Sequence, residues 1–218
     1  MIRVLICDDH MIVRQGIRQS LAEAADIEVV AEAEQGPAAL QRLRQGGIDV
    51  LLLDIALPGR DGLDVLRQVR DEHPKLPVLM LSTYPDRQYA VRSLKLGASG
   101  YLHKSADSEQ ITAAVRHVAR GQRFVTAAVA ELLAAALGQS SSDDERPLDE
   151  LLSHREFQVF ERLAQGKSVG EIARELSLSS NTVSTYRARI LDKTGTRNVV
   201  ELVLLAISGG FAAETGTK

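Results

Sequence analysis

The sequence predicts two units, an α/β unit built on a parallel sheet of five strands and then a small all-α unit. Three observations carry this. Over residues 1–121, short apolar runs alternate with helix-period stretches, the pattern of a parallel sheet with helices on both faces. Residues 139–150 then read Gln-Ser-Ser-Ser-Asp-Asp-Glu-Arg-Pro-Leu-Asp-Glu, too polar to build a core. Beyond residue 151, short amphipathic helices follow one another with only a few residues between them, which suits a helix-turn-helix.

The apolar runs fall at residues 3–7, 27–31, 50–53 and 78–81, with a weaker one at 100–102. Helical periodicity covers 11–24, 37–45, 62–72, 86–96 and 107–120. Right-handed crossovers leave few strand orders, and the flavodoxin-like order 2-1-3-4-5 is the compact one for five strands. It makes the first and third strands neighbours where the order reverses.

Composition narrows the class. The 218 residues carry a net charge of -3, and apolar and charged fractions are ordinary for a globular protein. Residues 125–150 hold one basic side chain against six acidic ones, whereas residues 1–124 balance at 16 each. A lone cysteine, Cys7 in an apolar strand, excludes an internal disulfide and suits a reducing cytoplasm. No run reaches the length of a membrane span, and Arg3, Asp8 and Asp9 stand where a signal peptide needs an apolar core, so a cytoplasmic protein is expected.

The chemistry gathers at strand ends. The run Val-Leu-Leu-Leu stops on Asp54, and Pro58 and Gly59 follow, so Asp54 projects from the carboxyl end of a buried strand, where α/β sheets bind ligands. Asp54 reads as a nucleophile. Asp8 and Asp9 end the neighbouring first strand. Two carboxylates ~4 Å apart cost roughly 4 kcal/mol at an effective dielectric of 20, so the cluster calls for a cation or a raised pKa. Hard oxygen ligands with open positions suit Mg²⁺. Ser82 and Lys104, at the fourth and fifth strand ends, supply a hydroxyl and a point charge for phosphoryl oxygens.

Asp8-Asp9, Asp54 with Pro58 and Gly62, Ser82 and Lys104 together resemble the receiver domain of two-component response regulators. The receiver unit is expected over 1–121, and the resemblance covers residues 1 to about 120. It implies that these acids bind Mg²⁺ and that Asp54 takes phosphoryl from a sensor histidine kinase. Asp9 would be the direct metal ligand, Asp8 a second one acting through water, and Ala56 a ligand through its backbone carbonyl. Ser82 and Tyr101 would form the switch, the hydroxyl turning toward the phosphoryl group and the ring rotating inward. Receivers commonly place proline after the lysine, whereas Ser105 follows Lys104, which removes the cis peptide and predicts a less rigidly held lysine. Tyr84 is expected to limit water near the phosphoryl group, and kinase choice to lie on residues 11–19.

Residues 122–150 form the connection, an alanine-rich helix over 125–137 that packs on the first unit or a partner, followed by the acidic linker. In the last unit, residues 151–212, Ser153 and Glu156 signal a capping box. Phe157, Phe160 and Leu163 point inward, a second helix buries Ile172, Ala173 and Leu176, and a third runs to Gly195. Val183, Tyr186 and Ile190 share that third helix's buried stripe. Asn181, Ser184, Thr185 and Ala188 lie opposite, Arg189 and Lys193 flank them, and Arg187 sits nearer the buried edge.

Leu152-Ser153-His154-Arg155-Glu156, Gly166-Lys167-Ser168, Glu171-Ile172-Ala173 and Thr182-Val183 through Gly195 resemble the LuxR-type DNA-binding domain. A receiver joined to it is the NarL/FixJ class. The resemblance implies that Asn181, Thr182, Ser184, Thr185, Arg187, Ala188, Arg189 and Lys193 meet double-stranded DNA. Many members carry lysine at Ser184, and Ala188 is also uncharged, which suggests van der Waals or water-mediated base reading. The last helix, 198–208, is apolar nearly all round, so a phosphorylated homodimer on inverted half-sites is expected. The resulting reading is a phosphorylation-controlled transcription regulator, not an enzyme beyond its own Mg²⁺-dependent phosphorylation. A phosphatase sharing the aspartyl nucleophile would need a second acid at Ala56, and a phosphorylation-independent interaction module would not need the full acid, hydroxyl and lysine set.

Overall fold

The computed structural model describes residues 1–58, 60–83, 86–138, 151–176 and 178–208. The acidic linker, Gly59, Tyr84, Ser177 and the end of the expected last unit, residues 209–212, lie outside the described residues. The chain divides into two compact units, Met1–Ser142 and Asp143–Lys218.

The first unit is a five-stranded parallel sheet in the order β2-β1-β3-β4-β5, as expected. Its strands are β1 (Ile2–Cys7), β2 (Ile27–Ala33), β3 (Val50–Asp54), β4 (Val78–Ser82) and β5 (Gly100–His103). Between them run α1 (Met11–Ala22), α2 (Gly36–Arg44), α3 (Gly62–Glu72) and α4 (Asp86–Lys95), and α5 (Ser108–Ala119) follows. Every residue of β3 and β4 is buried, which is why these strands are unbroken apolar runs rather than alternating ones. On one face Val4, Ile6, Leu52, Leu79, Leu81 and Leu102 pack against Ile17 and Leu21 of α1 and Ile111, Val115 and Val118 of α5. Strand β2 runs two residues further than its apolar run, because Glu32 and Ala33 pair with Ile6 and Cys7 on an edge where polar side chains face water.

The connection leaves the sheet by adding to it. Phe124 bridges in parallel to Gly100, its N–H donating to the Ser99 carbonyl at 2.9 Å and its carbonyl accepting from Tyr101 N–H at 3.3 Å. Gly100 is needed there: a Cβ would stand 2.7 Å from the Phe124 carbonyl oxygen and 2.8 Å from Leu79 Cδ1. The alanine-rich helix α6 (Ala127–Gly138) then packs on α4, with Val129 buried.

The second unit holds α7 (His154–Ala164), α8 (Val169–Glu175), α9 (Ser180–Thr194) and α10 (Val199–Ser208). Capping boxes start α7 at Ser153/Glu156 and α8 at Ser168/Glu171, and Gly195, at φ 67°, closes α9 in the left-handed region. Leu152, Phe157, Val159, Phe160, Ile172, Val183, Ile190 and Leu202 form the core. Leu176 and Tyr186, expected inside, are only half-buried, because so small a helical unit closes over one side of each. No helix among the described residues is long and apolar enough to cross a membrane.

Candidate functional site

The sheet order sets the pocket. Cys7 ends β1 opposite Leu53, so Asp8, one residue on, comes beside Asp54 at the end of β3. Asp54 is 1% exposed and Asp8 fully buried, and the Lys104 ammonium sits between them, 2.6 Å from Asp8 Oδ2 and 2.9 Å from Asp54 Oδ2. Lys104 is thus pinned, against the looser placement expected from the missing proline. Two buried carboxylates demand a cation, and this one is within reach. The Ala56 N–H donates to Asp54 Oδ1 at 3.1 Å. Asp9 is less buried and lies 2.8 Å from His10 Nδ1.

Burial raises the Asp54 pKa, and Asp8 adds to the rise while Lys104 opposes it. Burial works against the charged Lys104, but Asp54 and Asp8 outweigh it and hold its pKa above the ordinary lysine value. The Cys7 thiol is pushed up to about 12, by burial first and then by the neighbouring carboxylates, so it stays a protonated, inert side chain. Ligand atoms of Asp8, Asp9, His10 and Asp54 lie within 4.8 Å of one another. An acidic cluster of this size, still negative after Lys104 is counted, fits a divalent cation.

Ser82 is buried at the end of β4, and its carbonyl accepts from the Lys104 N–H at 2.7 Å. Tyr101, on the neighbouring β5, is 1% exposed.

On the second unit, α9 presents Asn181, Ser184, Thr185, Arg187, Ala188 and Arg189 to solvent, with Thr182 half-buried. Asn181, Thr182, Thr185, Tyr186 and Arg189 line a shallow hollow along it. Ser179 caps the helix by accepting from Thr182 N–H at 3.0 Å. The result is a neutral strip beside arginines, held on a rigid helix.

Lys193 also has a partner within its own unit. Its ammonium is 2.6 Å from Glu156 Oε2, and that carboxylate also accepts from Ser153 N–H at 2.7 Å. The last turn of α9 faces the start of α7, so this lysine pairs with a buried acid while its side chain stays 40% exposed. Burial opposes ionisation of Glu156, yet Lys193 and Ser153 outweigh it and hold its carboxyl below the usual range. Glu156→Ala is expected to destabilise the second unit by about 1–3 kcal/mol in thermal unfolding, since cap and ion pair go together. A change within about 0.5 kcal/mol would contradict that role.

A family model for the response regulator receiver domain matches residues 4–116, and one for bacterial regulatory proteins of the luxR family matches residues 150–206. The chain belongs to the response regulators. The regulator is 36% identical over 216 residues to Response regulator UvrY of Escherichia coli K12, covering 99% of this chain and 98% of UvrY. It is 37% identical over 211 residues to Response regulator GacA of Pseudomonas viridiflava, covering 97% and 98%. Among solved structures, RcsB of Salmonella typhimurium aligns at TM-score 0.60 with 27% identity over 95% of this chain and all of that one. A structure of two RcsB dimers bound to two parallel DNAs aligns at 0.58 with 28% identity over 95% and 98%.

The regulator's fold brings Asp8, Asp9, Asp54, Lys104 and the Ala56 amide to one edge, and sets Ser82 and Tyr101 on the adjoining strands. Arg14 went unnoticed in the sequence. It is buried, donating to the Asp8 carbonyl at 2.7 Å, Glu34 at 2.7 Å and Glu32 at 3.1 Å, and so fixes the loop that carries the acids. The signal was present: Arg14, Ile17 and Leu21 share one helical stripe, and an arginine on an apolar stripe needs partners.

Proposed function

We propose that Asp54 accepts a phosphoryl group from a sensor histidine kinase and thereby switches dimerisation and DNA binding. An Asp54 carboxylate oxygen forms the bond to phosphorus as the bond to the kinase imidazole breaks, and the imidazole leaves with the displaced electron pair. Asp9, Asp54 and the Ala56 carbonyl, with Asp8 behind them, would hold Mg²⁺, which supplies charge neutralisation at the phosphoryl oxygens. Lys104 then exchanges its Asp54 contact for a phosphoryl oxygen, Ser82 turns its hydroxyl to another, and Tyr101 shifts the surface between β4 and β5. The observation that carries this reading is a nucleophile 1% exposed, held by Lys104 beside a second buried acid.

Residues 1–121 act as the receiver, 122–150 as the connection and 151–212 as the DNA-binding domain, in a cytoplasmic protein whose only chemistry is its own phosphorylation. Asn181, Thr182, Ser184, Thr185 and Ala188 face the major groove, while Arg189 flanks them and, with Arg187, reaches phosphate. Lys193 keeps its charge near the DNA while paired to Glu156. Val200 and Leu204 of α10 are 70% and 60% exposed, which supports a dimer through this helix on inverted half-sites. The solved structure of RcsB dimers bound to DNA supports a DNA-bound dimer. Met11 and Ile12, exposed beside the acids, support kinase docking on α1.

Intact mass spectrometry after incubation with phosphoramidate and Mg²⁺ tests the reading. The expected result is one added phosphoryl group, prevented by chelator. No added mass, or addition insensitive to chelator, would overturn it.

A further inference from the structure

We infer that His103 is a positioning residue that holds the Thr83 carbonyl, one residue past β4, in its resting arrangement. His103 ends β5 and is the ladder partner of Ser82. Its Nδ1 accepts from the Ser105 N–H at 3.2 Å and lies 2.5 Å from Ser105 Oγ, while its Nε2 lies 3.2 Å from the Thr83 carbonyl oxygen. These contacts assign the tautomer. A nitrogen accepting a backbone N–H carries no proton, so Nε2 bears the hydrogen and donates it to Thr83.

Two successive carbonyls beyond the centre of β4 are therefore held from the end of β5: Ser82 by the Lys104 amide at 2.7 Å, and Thr83 by the His103 ring. The first bond belongs to the sheet ladder and is rigid. The second is made by a half-buried side chain on an exposed residue and can break alone. Two motions are coupled: as the Ser82 hydroxyl swings toward a group on Asp54, the adjoining Thr83 peptide turns with it. That motion pulls its carbonyl off the ring. The inference rests on the phosphoryl-switch reading above and adds a group that sets how easily the switch turns.

The test titrates full-length wild type, His103→Leu and His103→Gln with beryllofluoride and Mg²⁺, following backbone amide resonances, alongside millisecond exchange broadening at Thr83 without ligand. Losing a neutral hydrogen bond from the resting state should tighten beryllofluoride binding of His103→Leu by about 2–10-fold. The leucine variant should also broaden Thr83. The glutamine amide can still donate to Thr83, so His103→Gln should restore both values toward wild type. Leucine and wild type titrating alike, weaker binding by leucine, or glutamine behaving as leucine would each overturn the tether. A wild type that ignores beryllofluoride would refute the switch reading instead, and the Thr83 broadening then decides on the tether by itself.

Discussion

Asp54→Asn is expected to end every response to a phosphodonor and, at the same time, to stabilise the metal-free protein. The amide keeps the side chain's shape but offers no carboxylate oxygen to phosphorus. The stability effect follows from the raised pKa of the buried acid, with burial the leading cause, Asp8 adding to it and Lys104 opposing. An aspartate whose folded pKa exceeds its unfolded value of about 3.9 favours folding only in acid. That contribution is complete below the unfolded value and is lost as pH rises through the folded one. At neutral pH the ionised Asp54 therefore opposes folding. Asparagine removes the opposition while Lys104 keeps its 2.6 Å contact with Asp8. A gain of roughly 0.5–2 kcal/mol is expected at pH 7, the usual size when a strained functional group is relieved. The gain should shrink as pH falls through the Asp54 titration. Thermal unfolding across that range checks it, and an Asp54→Asn protein less stable than wild type at pH 7 would contradict it.

Gly62→Ala is expected to be the most damaging single-methyl change in the pocket. A Cβ at Gly62 would overlap the Asp54 carbonyl oxygen and stand 2.8 Å from Ile55 Cα and 2.9 Å from the Asp54 carbonyl carbon. All three are backbone atoms, so no rotamer change relieves the clash. The Gly62 N–H also donates to the Ile55 carbonyl at 2.9 Å, and Asp61 caps α3 through Leu63 N–H at 2.8 Å, so the start of α3 has little room to move. Overpacking of this kind costs about 3 kcal/mol, and here the strain runs into the peptide that carries the nucleophile. Loss of both thermal stability and phosphoryl acceptance is the expected result. Gly16→Ala is the matched control: its Cβ would meet nothing within 4 Å, and inside α1 it should gain about 0.5–1 kcal/mol. Equal behaviour of the two variants would contradict the account.

The periodicity of the chain was enough for the sheet, because an unbroken apolar run such as Val50 to Leu53 has few homes outside a covered parallel strand, and crossover handedness then limits the order. The pocket followed from topology, since Asp8, Asp54, Ser82 and Lys104 all end strands. What escaped were contacts whose partners lie far apart in sequence. Phe124 adding to the edge of β5, Glu156 reaching Lys193 and His103 reaching Thr83 depend on side-chain geometry that no local pattern encodes. Lys193 shows the limit most clearly. Helical spacing places it beside the exposed strip but does not reveal the buried acid on another helix that pairs with its charge.

The most direct test of the central claim is which genomic DNA fragments the purified full-length regulator retains with Mg²⁺ and beryllofluoride, and which it retains without them. Specific fragments held only with the mimic, and lost in Asp54→Asn, are the result expected if a phosphoryl group on Asp54 switches DNA binding. Equal retention in both conditions would contradict the switch, leaving a DNA-binding domain that the receiver does not control.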